Sequence, residues 1–134
     1  MLRFLLAALV CVATIFSGTA IGAEPPLVSL AEAGQHVGEE VAIELVVASS
    51  RLLTSGKFCF LNSKKNFSDK DNFTVAIRGA ALPKFAEKEI ADPAQHFLEK
   101  TIRVTGKVSL HQDRPQIIVD RPEQIVVIVA VKTP

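Results

Sequence analysis

The sequence predicts a mainly β fold: a small closed barrel of five strands, with a short helix before it and a helical insertion between strands 3 and 4. Three observations carry that prediction. Val41, Ile43, Leu45 and Val47 alternate with Ala42, Glu44 and Val46, the period of a strand with one buried face. Three β-patterned runs precede residue 79 and two follow residue 100, separated by a stretch that breaks the β rhythm. Gly106 stands inside the fourth run, where a glycine predicts a bulge or sharp bend that turns a barrel corner.

The chain has 134 residues and opens with Met1-Leu2-Arg3 and an almost wholly apolar stretch, Phe4 to Phe16. Small residues then dominate Ser17 to Ala23, and Glu24-Pro25-Pro26 changes the character abruptly. That order of charged, apolar and small-residue regions predicts a secretory signal peptide over 1–23, cleaved after Ala23. The competing reading is an uncleaved anchor, for which so short an apolar stretch is marginal. Residues 24–134 are then a single exported domain, periplasmic or secreted, with no membrane span and enough length for a core without disulfide staples. Only Cys59 remains in that part, so no internal disulfide can form, and a buried, inert thiol is expected.

The elements follow in order. Ser29 and Glu32 have capping-box spacing, which predicts a short helix ended by Gly34 or Gly38. Glu40 to Val47 is the first strand. Ser49-Ser50 and the Thr54-Ser55-Gly56 turn lead to the second, Lys57 to Asn62. Ser63 to Asn72 is a charged loop with too little apolar content for core. Phe73 to Arg78 is the third strand, with Phe73, Val75 and Ile77 on one face and Thr74, Ala76 and Arg78 on the other. Leu82, Phe85 and Ile90 fit a short helix, and Asp92-Pro93 reads as an N-cap followed by proline at the first helical position. Thr101 to Leu110 is the fourth strand, Gln112-Asp113-Arg114 the turn and Pro115 to Val119 the fifth strand. Ile125 to Val131 predicts a terminal strand that covers the barrel or offers an apolar edge for pairing.

Strands 1 to 3, an insertion and strands 4 and 5 resemble the OB-fold, a five-stranded Greek-key barrel. The residues are similar to OB domains of the tRNA-anticodon-binding type in exported bacterial proteins. The similarity lies in Val41 to Val47, Gly56-Lys57-Phe58-Cys59-Phe60-Leu61-Asn62, Phe73 to Ile77, Ile102 to Val108 and Pro115 to Val119. It covers the chain from about Val37 to Ile125. The chain departs from such domains at Glu44 or Leu45, where many have glycine, and in lacking Tyr and Trp.

The resemblance implies a ligand face on strands 2 and 3 with the flanking loops. Single-stranded ligands need cations along the phosphates and flat side chains under the bases. Lys57, Phe58, Phe60, Lys64, Lys65, Phe67 and Arg78 supply both in that region, with a contribution from Lys107. Charge agrees locally. The chain carries 15 basic and 14 acidic residues, yet Arg51 to Lys84 holds seven bases against only Asp69 and Asp71. A near-neutral chain lacks the bulk attraction of an avid nucleic-acid binder. Phe58 and Phe60 share one face of strand 2, and Cys59 and Leu61 the other. Rings turned outward form a platform; rings turned inward are ordinary core. Two large rings fill a barrel better than they suit water, so the inward arrangement is expected.

The expected function is a non-catalytic exported binding module for single-stranded nucleic acid or another anionic polymer. The alternative is an envelope protein-interaction module, pairing with a protein partner through the C-terminal strand. A secreted nuclease is the further alternative, for which only Asp69 and Asp71 lie near the basic sector and no motif matches. No cofactor or metal is expected: His36, His96 and His111 are scattered and lack zinc-ligand spacing with Cys59.

Overall fold

The computed structural model describes residues 24–129. The signal-peptide expectation for 1–23 and the last two residues of the predicted terminal strand, 130 and 131, lie outside them. The fold is mainly β, with eight strands in one mixed sheet and a few short helices.

In chain order the strands are β1 (Leu27–Val28), β2 (Glu40–Val46), β3 (Ser49–Leu52), β4 (Phe58–Asn62), β5 (Thr74–Arg78), β6 (Thr101–His111), β7 (Arg114–Val119) and β8 (Ile125–Val127). The two α-helices are α1 (Leu82–Glu87) and α2 (Pro93–Phe97), both between β5 and β6. The sheet runs β1-β2-β6-β7-β5-β4-β3, with β8 paired to β6 off that path. Pairing is parallel for β1 with β2 and for β5 with β7, and antiparallel elsewhere. Five of these strands are the predicted five, within a residue at each end. β1 and β3 are additions. Ser49-Ser50, read from sequence as a polar connection, is strand, because its backbone pairs with Leu61 and Asn62 of β4.

The core fills by alternation. Val41, Ile43 and Leu45 of β2, Cys59 and Leu61 of β4, Val75 and Ile77 of β5, and Ile117 and Val119 of β7 all turn inward and are buried. Phe85 of α1 and Phe97 of α2 add to this core, edge to face with centroids 6.2 Å apart. Asp92 caps α2 as its residue type predicts, accepting from the Ala94 amide at 3.0 Å ahead of Pro93. The N-terminal helix is a 3-10 helix, Leu30–His36, and Ser29 makes no side-chain cap; its carbonyl accepts from the Glu32 amide instead.

Of the two roles expected for Gly106 the bulge is absent, while β6 does change partners beside it, pairing with β2 up to Lys107 and with β7 from Val108. The β2–β6 ladder runs unbroken through it, Glu40 opposite Lys107, Val41 opposite Gly106 and Ala42 opposite Thr105, so no residue bulges out. Gly106 shares the inward face with Val104 and Val108, and a Cβ there would lie 2.6 Å from Ile117 Cγ2. The glycine makes room for a core side chain.

Burial drives the Cys59 thiol up from 9.0 to about 12, helped by the nearby Asp92 carboxylate. The thiol therefore stays neutral and unreactive in the folded chain. The unfolded chain releases this proton first, so the contribution of Cys59 to stability is expected to be constant below about pH 9 and to fall as pH rises from there toward 12. Labelling of Cys59 by a thiol reagent at pH 8, mapped by peptide so that Cys11 is counted apart, should proceed only after denaturant is added; rapid labelling of Cys59 in the native chain would contradict this burial.

Candidate functional site

The outward face of β4 and β5 is set by the same alternation that fills the core. With Cys59 and Leu61 inside, Phe58 and Phe60 face out, partly exposed, against the inward orientation expected from ring size. The physical reason is that the interior is already filled by Phe73, Phe85 and Phe97 together with aliphatic side chains, so strand 2 supplies small and aliphatic residues there. The two rings lie nearly parallel, 10° apart in plane with centroids at 5.6 Å, and form an aromatic strip along β4.

Cross-strand register builds the surroundings. Phe60 stands opposite Arg51 of β3 on one side and Ala76 of β5 on the other, and Phe58 stands opposite Arg78. The next row runs Ser49, Asn62, Thr74, Gln116 and Ser109 across five strands. At this end of the strip a groove of about 250 Å³ is lined by Arg51, Phe60, Phe67, Thr74, Arg114 and Gln116, among others. Phe67 is 62 % exposed, too much for a structural ring. The β6–β7 turn, with Gln112 and Asp113 both at positive φ, closes one side.

The loop that carries Phe67 is pinned from below. Asn72, only 3 % exposed, donates to Asn62 Oδ1 at 3.2 Å, Thr74 Oγ1 at 3.1 Å and the Phe67 carbonyl at 3.3 Å, and accepts from the Lys64 amide at 3.0 Å. Arg114 Nη1 donates to the same Phe67 carbonyl at 3.1 Å, tying the loop to β7. Asn72→Ala removes a buried side chain that bridges Asn62, Thr74, the Phe67 carbonyl and the Lys64 amide, so a loss of about 1–3 kcal/mol is expected in a denaturant melt. Proteolysis should then cut first within 63–72; a variant as stable and as protease-resistant as the parent would show that Asn72 does not pin the loop.

The candidate residues do not form one cluster. Phe60 and Phe67 line the groove, and Phe58 extends the strip. Arg78 and Lys107 line a second, more open depression at the opposite end, with Asp120 and Arg121. Arg78 Nε is already held there by Asp120 Oδ1 at 2.8 Å, an exposed pair of small worth that a stronger anion can displace. Lys57, Lys64 and Lys65 are exposed but line neither hollow. Arg51 and Arg114 replace them as the groove's cations. Their signal was present in sequence: Arg51 opens the basic sector, and Arg114 follows the tight turn that flanks the strand 2–3 face.

Asp69 accepts from the Asp71 amide at 2.8 Å, an ordinary turn contact. Among the described residues no group of three or more His, Cys, Asp or Glu side chains is placed to hold a metal ion, and no helix is long and apolar enough to cross a membrane.

No protein-family model and no curated protein matches the chain. Solved structures do. The aspartyl-tRNA synthetase of Entamoeba histolytica is 16 % identical over 92 % of this chain and 25 % of its own, with a TM-score of 0.56. The asparaginyl-tRNA synthetase of Pyrococcus horikoshii is 17 % identical over 78 % of this chain and 23 % of its own, at 0.53. The OBody AM1L10, in complex with hen egg-white lysozyme, is 19 % identical over 74 % of this chain and 89 % of its own, at 0.50. The chain thus spans about a quarter of the synthetases' length. At these identities the likeness speaks to fold alone, and it supports an OB-type fold.

Proposed function

We propose that this chain is an exported, non-catalytic OB-fold module that binds single-stranded nucleic acid or a comparable anionic polymer. The observation that carries the reading is the outward Phe58–Phe60 strip running into a groove walled by Phe67 and flanked by Arg51 and Arg114. Flat rings with cations beside them suit bases joined by phosphates, since every base has a face to stack and every link a charge to meet. The tRNA-handling neighbours add support of the weaker kind, because one fold serves many ligands.

Architecture belongs to the same proposal. β3 ends the sheet order at one edge and β2 stands next to last at the other, beside β1, yet only Val47 and Ala48 separate β2 from β3 in the chain. Read as one bent strand, they close a five-stranded Greek-key barrel whose other members are β4, β5, β6 and β7. Residues 1–23 are proposed to direct export and to be removed after Ala23.

A fluorescence anisotropy titration with a labelled oligonucleotide tests the binding. Affinity is expected to fall as salt rises, with a log–log slope of about −0.7 for each phosphate neutralised. A flat titration at low salt overturns the reading. A second reading, a protein-binding module, is favoured by one observation: the OBody, nearly all of which this chain overlays, is bound to lysozyme. Pull-down of one envelope protein, lost on mutating the groove, together with no oligonucleotide binding, would select it.

A further inference from the structure

A second surface lies away from the groove, on the outward face of β2, β6 and β8. Glu44, Arg103 and Val126 are register neighbours across those three strands, and Val46 follows in the next row opposite Thr101. Leu27, at the β1 edge, faces the same way as its partner Ala42. Val46 and Val126 are each 53 % exposed and Leu27 60 %, so apolar side chains flank an ion pair in the open. Arg103 donates through Nε at 2.9 Å and Nη2 at 2.6 Å, both to Glu44 Oε2. Arg103 Nη1 and Glu44 Oε1 have no hydrogen-bond partner among the described residues.

We infer that this face binds a second copy of the chain. One cation and one anion side by side are self-complementary. A twofold axis along the strands, between β2 and β6, sets Arg103 of each copy over Glu44 of the other. The unused Nη1 and Oε1 atoms then complete two more charge-assisted bonds. The same rotation carries β8, with Val126, toward β1 of the second copy, with Leu27, so the apolar flanks meet. A partner of one charge sign would leave one member of the pair opposed by like charge, whereas this chain, at a formal net charge of +1, does not repel itself. The groove residues lie elsewhere in the sheet, so a dimer presents two uncovered grooves.

The test is analytical ultracentrifugation of the chain in the form it accumulates in cells, from about 1 to 500 μM. A reversible monomer–dimer equilibrium is expected. Val126→Asp and Glu44→Arg should each raise the dimer dissociation constant by about tenfold or more, and adding Arg103→Glu to Glu44→Arg should restore it. An unchanged melting profile of Val126→Asp keeps loss of fold out of the interpretation. A wild-type chain that stays monomeric throughout overturns the inference and leaves the face to a different partner. A dimer undiminished by both single variants also overturns it, and points to another surface such as the β8 edge away from β6.

Discussion

Phe60→Ala is expected to weaken oligonucleotide binding by roughly 5- to 150-fold, the effect of losing about 1–3 kcal/mol of base stacking. Phe60 is the hinge of the proposed interface. It stacks on Phe58, lines the groove and stands between Arg51 and Ala76 in register. Because the ring is partly exposed rather than packed in the core, its removal should leave the melting temperature nearly unchanged. That separation makes the measurement informative. Arg51→Ala should behave differently, weakening every sequence alike and reducing the salt slope by about 0.7. If Phe60→Ala binds as tightly as the parent while the parent does bind, the ligand lies elsewhere, and the depression holding Arg78 and Lys107 becomes the place to look.

Gly79→Ala is expected to be the most damaging single methyl in the chain. Gly79 directly follows β5, and its amide donates to the Lys57 carbonyl at 2.7 Å. A Cβ there would run into the Gly56 carbonyl oxygen, with the Lys57 carbonyl only 3.1 Å away. Both obstacles are backbone, so no rotamer change relieves them. The turn before β4 must move or the strand end must part from it. A cost of about 3 kcal/mol or more is expected, equivalent to a fall of more than about 10 °C in the thermal midpoint for a domain of this size. Gly106→Ala provides the contrast. Its nearest obstacle is the Ile117 Cγ2 methyl at 2.6 Å, a side-chain atom rather than backbone, so the loss should be smaller. Equal losses at the two positions would show that the backbone approach at Gly79 is not the deciding contact.

The element order was legible because it rests on local pattern. Alternation in Val41 to Val47, the Asp92-Pro93 start of α2 and the polar break at Gln112 to Arg114 each specify backbone geometry from adjacent residues, and each is found in place. β3 escaped notice because Ser49 to Leu52 has no apolar alternation of its own. It is strand only because β4 offers hydrogen bonds beside it. The same limit applied to Gly106, whose meaning depends on Ile117, a residue distant in sequence and adjacent in space.

The sequence by itself determined that strand 2 has two faces, one bearing Phe58 and Phe60 and the other Cys59 and Leu61. A period of two guarantees that much. It could not choose which face is inside, since all four residues are apolar and each is at home in a core. That choice belongs to the whole interior: Phe73, Phe85 and Phe97, brought from the third strand's edge and from both helices, occupy the core and leave the two rings of β4 outside. Only the tertiary structure likewise gathers Arg51, Phe67 and Arg114 around them, because three segments up to 63 residues apart meet there through sheet pairing and not through any local signal.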